Sequence, residues 1–241
     1  MFELEKEMTP VVTNNLGIFS QRIANHENLA LTYELPVKYR LIDMAIAYAL
    51  PDGYFNNVES YSPLKYINNI LMEILSIFYL YPQVTIKRLQ KELFMNPDEL
   101  EKLLYKLIKH KLIKQVSRMS YQINDLVKID SLGMISIELK LCNWREALGQ
   151  AEYNLMFSDY SYVALDKARI PNNGVDLIPF FNSRNIGLLS VSDDGNIELL
   201  FNPKKNRKID KRLYTMQRLK ILQSIISSQK WYLYSKIGEP K

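Results

Sequence analysis

The sequence predicts an α/β protein: a mixed sheet flanked by helices, interrupted by an inserted helical module that ends in a hairpin. Three observations carry this. Apolar, strand-like stretches surround Asp43 and, far downstream, Glu138. Between them, from Ser62 to about residue 126, the texture changes to amphipathic helices opened by cap residues. Later, Asp194-Gly195 separates two apolar runs, a hairpin signal.

The chain has 241 residues, 47% hydrophobic and 24% charged, enough for one large domain or two small ones with real cores. The single cysteine, Cys142, excludes an internal disulfide, fits a reducing cytosol, and is expected as a small core residue. The acidic opening Phe2-Glu3-Leu4-Glu5-Lys6-Glu7 lacks a basic-then-apolar leader. The most apolar stretch, Ile70 to Tyr81, is short and carries Glu73, which argues against a membrane span. The expectation is a cytoplasmic protein with no membrane partner.

In chain order, residues 1 to about 30 read as helical. Residues 31–50 read as two short strands. The second, Tyr39 to Ala47, sets Asp43 on one face with Leu41, Ala45 and Ala47, the alanines leaving room before the carboxylate. Pro51-Asp52-Gly53 reads as a turn. Ser62-Pro63 is a helix start, and the helix is expected to reach Leu80. A second helix is expected over Thr85–Leu93. The third opens at Asn96-Pro97-Asp98-Glu99, with Asn96 as cap, Glu99 at the capping-box position, and Leu100, Leu103, Leu104, Leu107 and Ile108 as its buried stripe. Residues 111–116 and 119–123 then form a hairpin. Three helices followed by a hairpin resemble a winged helix. Such a module would lay its third helix in the DNA major groove, with Lys102, Lys106 and Lys109 near phosphate. The plain alternative is a module that mediates protein contacts or covers a core.

The α/β pattern resumes near residue 126. Ile135 to Leu141 is a strand, and Asn143 caps a helix from Trp144 to about Phe157. A strand at 161–165, a short helix at 175–181, and strands at 186–191 and 197–201 follow. A last helix is expected from Lys211 to about Tyr234. The net charge is only +5, yet residues 203–220 hold eight basic residues against one acid, Asp210. That cluster suggests a polyanion, nucleic acid being the usual one; the plain alternative is a solvated helix face.

The strand at 135–141 holds two opposite charges. Glu138 and Lys140 lie two residues apart, on one face, about 6.6 Å from each other along the strand. Charges in a half-buried strand cost free energy unless something there needs them. Asp43, then Glu138-x-Lys140, then Gln150-Ala151 on the following helix, resembles the PD-(D/E)XK nuclease superfamily, with its restriction-endonuclease-like fold. Ile42 stands where that family often has proline, and the 95 positions between Asp43 and Glu138 shrink to 30 if residues 62–126 are an insertion. The resemblance implies a discontinuous core (1–61 and 127–202), an inserted winged-helix-like domain (62–126), and a basic C-terminal helical segment (203–241). It implies Mg²⁺- or Mn²⁺-dependent hydrolysis of DNA by an endonuclease. Asp43, Glu138 and the Leu139 carbonyl would hold the metal, Lys140 would position the attacking water, and Gln150 would orient Lys140 or the water. Glu7 or Glu34 would add a further acid. Lys204, Lys205, Arg207, Lys208, Lys211 and Arg212 would join the three helix lysines in holding double-stranded DNA; protein partners or a homodimer are also possible. The rival for Glu138 and Lys140 is a surface ion pair. Rival functions are a non-catalytic binding or assembly protein retaining the same fold, and a winged-helix transcription regulator. His26 and His110 lack zinc-ligand spacing, and Trp144 and Arg145 read as packing and surface.

Overall fold

The computed structural model describes residues 1–19, 29–37, 40–49, 61–125, 129, 132–227, 232–236 and 239–240. The expected turn at Pro51-Asp52-Gly53 and the helical reading of 20–28 lie outside them. The helices are α1 (Met8–Asn14), α2 (Asn69–Leu80), α3 (Ile86–Leu93), α4 (Pro97–Lys109), α5 (Trp144–Asn154), α6 (Ile178–Ser183) and α7 (Lys211–Ser227). The strands are β1 (Leu29–Val37), β2 (Arg40–Tyr48), β3 (Val84–Thr85), β4 (Ile113–Ser117), β5 (Ser120–Ile123), β6 (Gly133–Lys140), β7 (Tyr160–Asp166), β8 (Gly187–Val191), β9 (Ile197–Phe201), β10 (Tyr232–Lys236) and β11 (Glu239–Pro240). They fall into two units: Met1–Leu50 with Ser131–Asp210 and Lys230–Lys241, and Pro51–Asp130 with Lys211–Gln229.

The first unit is a mixed sheet in the order β11-β10-β1-β2-β6-β7-β8-β9. The β6–β7 and β7–β8 pairs are parallel and the others antiparallel. The alternation of side chains across the pleat sorts the core into two layers. Met44, Ile46, Ile135, Ile137 and Leu139 meet Met8, Val12, Leu16 and Phe19 from the N-terminal segment. On the opposite face Val163, Leu165 and Leu188 meet Ala147, Leu148 and Ala151 of α5 and Phe181 of α6. Two cross-strand pairs need glycine. An added Cβ at Gly133 would lie 2.1 Å from the Tyr48 ring, and one at Gly187 equally close to the Tyr162 ring. Both rings lie over the bare backbone of their strand neighbour. Residue types also explain the late hairpin: Gly195 takes a φ of 90° between β8 and β9, a conformation that suits glycine.

The second unit runs α2–β3–α3–α4–β4–β5, with a three-stranded sheet in the order β3-β5-β4. This is the element order of a winged helix. Its helices begin where cap residues stand. The Asn68, Thr85 and Asn96 side chains accept backbone N–H bonds from Leu71, Arg88 and Asp98. The first expected helix is thereby split. Ser62–Tyr66 forms a 3₁₀ turn, Ile67 is extended, and Asn68 opens α2.

The C-terminal region does not form one basic helical segment. Residues 203–210 stay with the sheet unit, α7 belongs to the winged-helix-like unit, and the chain then returns to pair β10 with β1 (Leu31↔Tyr232). The expected helix to Tyr234 is described over Lys211–Ser227, and Tyr232–Lys236 is strand instead, because Tyr232-Leu233-Tyr234 is a β-favouring run offered an edge to extend. In α7, Leu219, Leu222 and Ile226 are buried together with Arg218 and Lys220. Arg218 donates to the Ile129 carbonyl, and Gln223 donates to the Leu64 and Ile67 carbonyls at 2.7 Å.

Candidate functional site

Carrying the register Met44↔Ile137 one residue further sets Asp43 of β2 opposite Glu138 of β6. Asp43, Glu138 and Lys140 thus lie on neighbouring strands, and each has a protein partner other than the ones the sequence suggested. Glu138 is 1% exposed. Its Oε1 is ion-paired with the Arg40 guanidinium and accepts a 2.6 Å hydrogen bond from Asn154 Nδ2. Arg40 also donates to Asn154 Oδ1 at 3.3 Å. Asp43 Oδ2 accepts the Leu139 backbone N–H at 2.7 Å. Lys140 Nζ donates to Glu5 Oε2 at 2.9 Å.

The electrostatics follow from this arrangement. Burial pushes the Glu138 carboxyl up to about 7, against the opposing pull of Arg40. Burial also raises Asp43, while the Leu139 N–H pulls the other way. For Lys140 burial acts downward, but the hydrogen bond and charge of Glu5 outweigh it and the ammonium ends above its ordinary value. Each charged group thus faces a protein counterpart.

The expected metal set does not fit this geometry. Arg40 and Asn154 converge on one oxygen of Glu138, and the Leu139 N–H occupies one of Asp43. Among the described residues no group of three or more His, Cys, Asp or Glu side chains converges where a cation could sit. As arranged, Asp43, Glu138 and Leu139 do not fit a resident Mg²⁺ or Mn²⁺, which favours several hard oxygen ligands. Gln150 does not reach Lys140. Its Nε2 donates to Glu146 at 3.2 Å, and its Oε1 is buried without a partner among the described residues. Glu7 turns back to accept the Glu3 and Leu4 N–H groups, so Glu5 takes the acidic position near Lys140. Glu34 is exposed, at a φ of 50°, and makes no hydrogen bond or ion pair among the described residues.

Sequence reasoning missed Arg40, Asn154 and Glu5. A usable signal existed for Asn154: it follows Gln150 by four residues, hence on the same helix face. Cys142, expected in the core, is exposed. The strand that precedes it ends at Lys140, so it falls in the connection before α5.

The basic residues divide. Lys102, Lys106 and Lys109 are exposed on α4 but share that helix with Asp98, Glu99 and Glu101, leaving it without net charge. Arg212 pairs with Glu73 at 2.8 Å and approaches Glu92 at 4.0 Å, so it is spent within its own unit, while Lys211 is exposed at the start of α7. Lys204, Lys205, Arg207 and Lys208 line a groove of about 780 Å³ beside the C-terminal end of α5. No helix among the described residues is long and apolar enough to cross a membrane.

The two units together define a mixed α/β protein that carries a winged-helix-like module. Residues 52–116, spanning most of that module, match the PCI domain family. No curated protein and no solved structure matches the chain. The match overturns the nuclease assignment and, with it, the hydrolase activity and the classification as an enzyme. PCI domains are winged-helix-like scaffolds that mediate protein–protein assembly in multisubunit complexes. In the cluster that suggested metal-dependent chemistry, Arg40 and Asn154 hold Glu138, and Glu5 holds Lys140.

Proposed function

We propose that the protein is a non-catalytic assembly subunit whose winged-helix-like module binds a protein partner. The observation that carries this is the PCI match over residues 52–116. The module's surface supports it. On α4 three acids offset three lysines around exposed Tyr105, a face poor in net positive charge for reading DNA. Phe94, Val116 and Met119 are also exposed large apolar residues of the same unit. β4 is an edge strand, exposed at every residue after Ile113, and its free backbone groups can accept an added strand.

The test is co-migration. Full-length protein tagged at native abundance is expected in a discrete complex by native mass spectrometry. Tyr105→Ala with Met119→Ser should release it while leaving its own unfolding free energy within about 0.5 kcal/mol. A wild-type chain that stays monomeric in its source cell contradicts the reading. So would Mg²⁺-dependent cleavage of DNA that disappears in Lys140→Ala.

A further inference from the structure

The groove at the C-terminal end of α5 is a built surface. Residues 202–210 cross it as an irregular strap fastened by neutral groups. Asn206 donates its Nδ2 to the Leu155 and Ser158 carbonyls and its backbone N–H to the Asp159 carbonyl. Its Oδ1 accepts the Lys208 N–H at 3.0 Å. Asn185 and Lys204 exchange two hydrogen bonds, at 2.9 and 2.8 Å. The strap's shape is therefore held without its charges.

The charges are unevenly spent. Arg184 pairs with Glu152 at 3.0 Å and Lys205 with Asp159 at 3.3 Å. Lys204, Arg207 and Lys208 are exposed, line the same groove, and have no ion-pair partner among the described residues. The groove also presents Leu155 and Met156, the latter 41% exposed. Among the described residues no aromatic side chain lines it. A single-stranded nucleic acid is gripped by aromatic stacking as well as by charge, and that half is missing here. Three free cations around a thioether and a leucine instead complement carboxylates flanking an aliphatic anchor.

We infer that this groove docks an acidic, leucine-containing peptide segment of the protein partner. The inference rests on the assembly reading and adds a second contact to it, chemically distinct from the winged-helix-like module. The partner's carboxylates meet Lys204, Arg207 and Lys208, and its aliphatic side chain covers Met156.

The probe is a fluorescein-labelled peptide with a leucine pair between glutamate runs, titrated into the full-length chain by anisotropy. Binding should weaken at least about tenfold in Lys204→Glu with Lys208→Glu, and about threefold in Met156→Ser. The peptide with glutamine in place of glutamate should bind at least about tenfold more weakly, and salt should weaken only the acidic peptide. Far-UV circular dichroism should not change in either variant, since Asn185, Asn206 and the backbone of Lys204 and Lys208 fasten the strap. Equal binding by the glutamine peptide, or by the doubly reversed variant, overturns the inference. So does tighter binding of an oligothymidylate through the same lysines, which would make the groove a nucleic-acid surface. The two readings fail separately. A chain that joins no complex yet binds the peptide through the strap overturns the assembly reading alone. A chain that assembles without strap-dependent peptide binding overturns this inference alone.

Discussion

Two charged regions of the sheet unit differ in where their countercharges lie. Around Glu138 every ionic group is answered from inside: Arg40 and Asn154 meet Glu138, the Leu139 N–H meets Asp43, and Glu5 meets Lys140. Along the strap at 203–208, Lys204, Arg207 and Lys208 find no such answer among the described residues. Buried charges are tolerated only when paired, so the first region is accounted for by folding. Exposed cations gathered at a groove need no partner to fold, so their placement points outward. The same residue types in one unit thus separate into structural charge and contact charge, and burial together with pairing decides which is which.

The comparison is broken most directly at Arg40. Arg40→Ala leaves Glu138, with a side chain 2% exposed, buried without its cation. At pH 8, where Glu138 is ionised, the loss should be about 3 to 4 kcal/mol, read as a fall in the urea midpoint. An unchanged midpoint would mean that the cluster carries no structural weight. Replacing both Arg40 and Glu138 with methionine should cost much less than the sum of the single changes, because no orphaned charge remains.

The pH dependence comes next. Glu138 ionises near 7 in the folded chain, against an ordinary value of 4.5. As pH rises from 4.5 the unfolded chain releases this proton first, while the folded chain keeps it. The contribution is therefore full below pH 4.5, declines up to about pH 7, and is flat above. The decline amounts to about 3 kcal/mol. Asp43, also raised by burial, acts in the same direction. Glu138→Gln should remove most of the slope in denaturation series between pH 5 and 7. A slope that persists in that variant would place the titrating group elsewhere.

A third change tests the strap through its neutral fastener. Asn206→Ala removes the donor to the Leu155 and Ser158 carbonyls and the acceptor for the Lys208 N–H. It should lower stability by about 1 to 2 kcal/mol and weaken the acidic peptide as well, since the lysines lose their support. Stability lost without peptide binding lost would mean that the strap positions nothing.

Local signals in the sequence predicted local structure well. Asn96 and Asn143 each stand at the boundary their side chains favour, and Gly195 supplies the positive φ of the turn after Asp194. The neighbourhood of Asp43 and Glu138 was legible too, because apolar alternation fixes which face each takes. The occupants of that neighbourhood were not. Arg40 and Glu138 are 98 positions apart, and Glu5 and Lys140 are 135 apart, so their pairing exists only once sheet register is set. A Glu-x-Lys strand reads the same whether its charges await a metal or already hold Arg40 and Glu5. The basic count over 203–220 failed for a related reason. Composition cannot separate Arg212 and Arg218, which turn into the winged-helix-like unit, from Lys204 and Lys208, which do not. The final strand was missed because a β-favouring run after a long helix shows its purpose only against the free edge of β1.

The smallest expected effect separates the two regions most sharply. Lys208→Ala removes one cation whose side chain is exposed and unpaired among the described residues, while its backbone N–H, which Asn206 holds, is untouched. An exposed charge of this kind contributes at most a few tenths of a kcal/mol, so the unfolding free energy from urea titration should change by less than about 0.5 kcal/mol. Relief of repulsion from Lys204, Lys205 and Arg207 could even raise it slightly at low salt. Binding of the acidic peptide should nonetheless fall severalfold, and the fall should shrink as salt is added. Arg40→Ala should show the reverse, a large loss of stability that salt hardly alters because its partner is buried. If Lys208→Ala instead destabilised the chain as Arg40→Ala does, the strap's cations would be structural, and the division between the two regions would not hold.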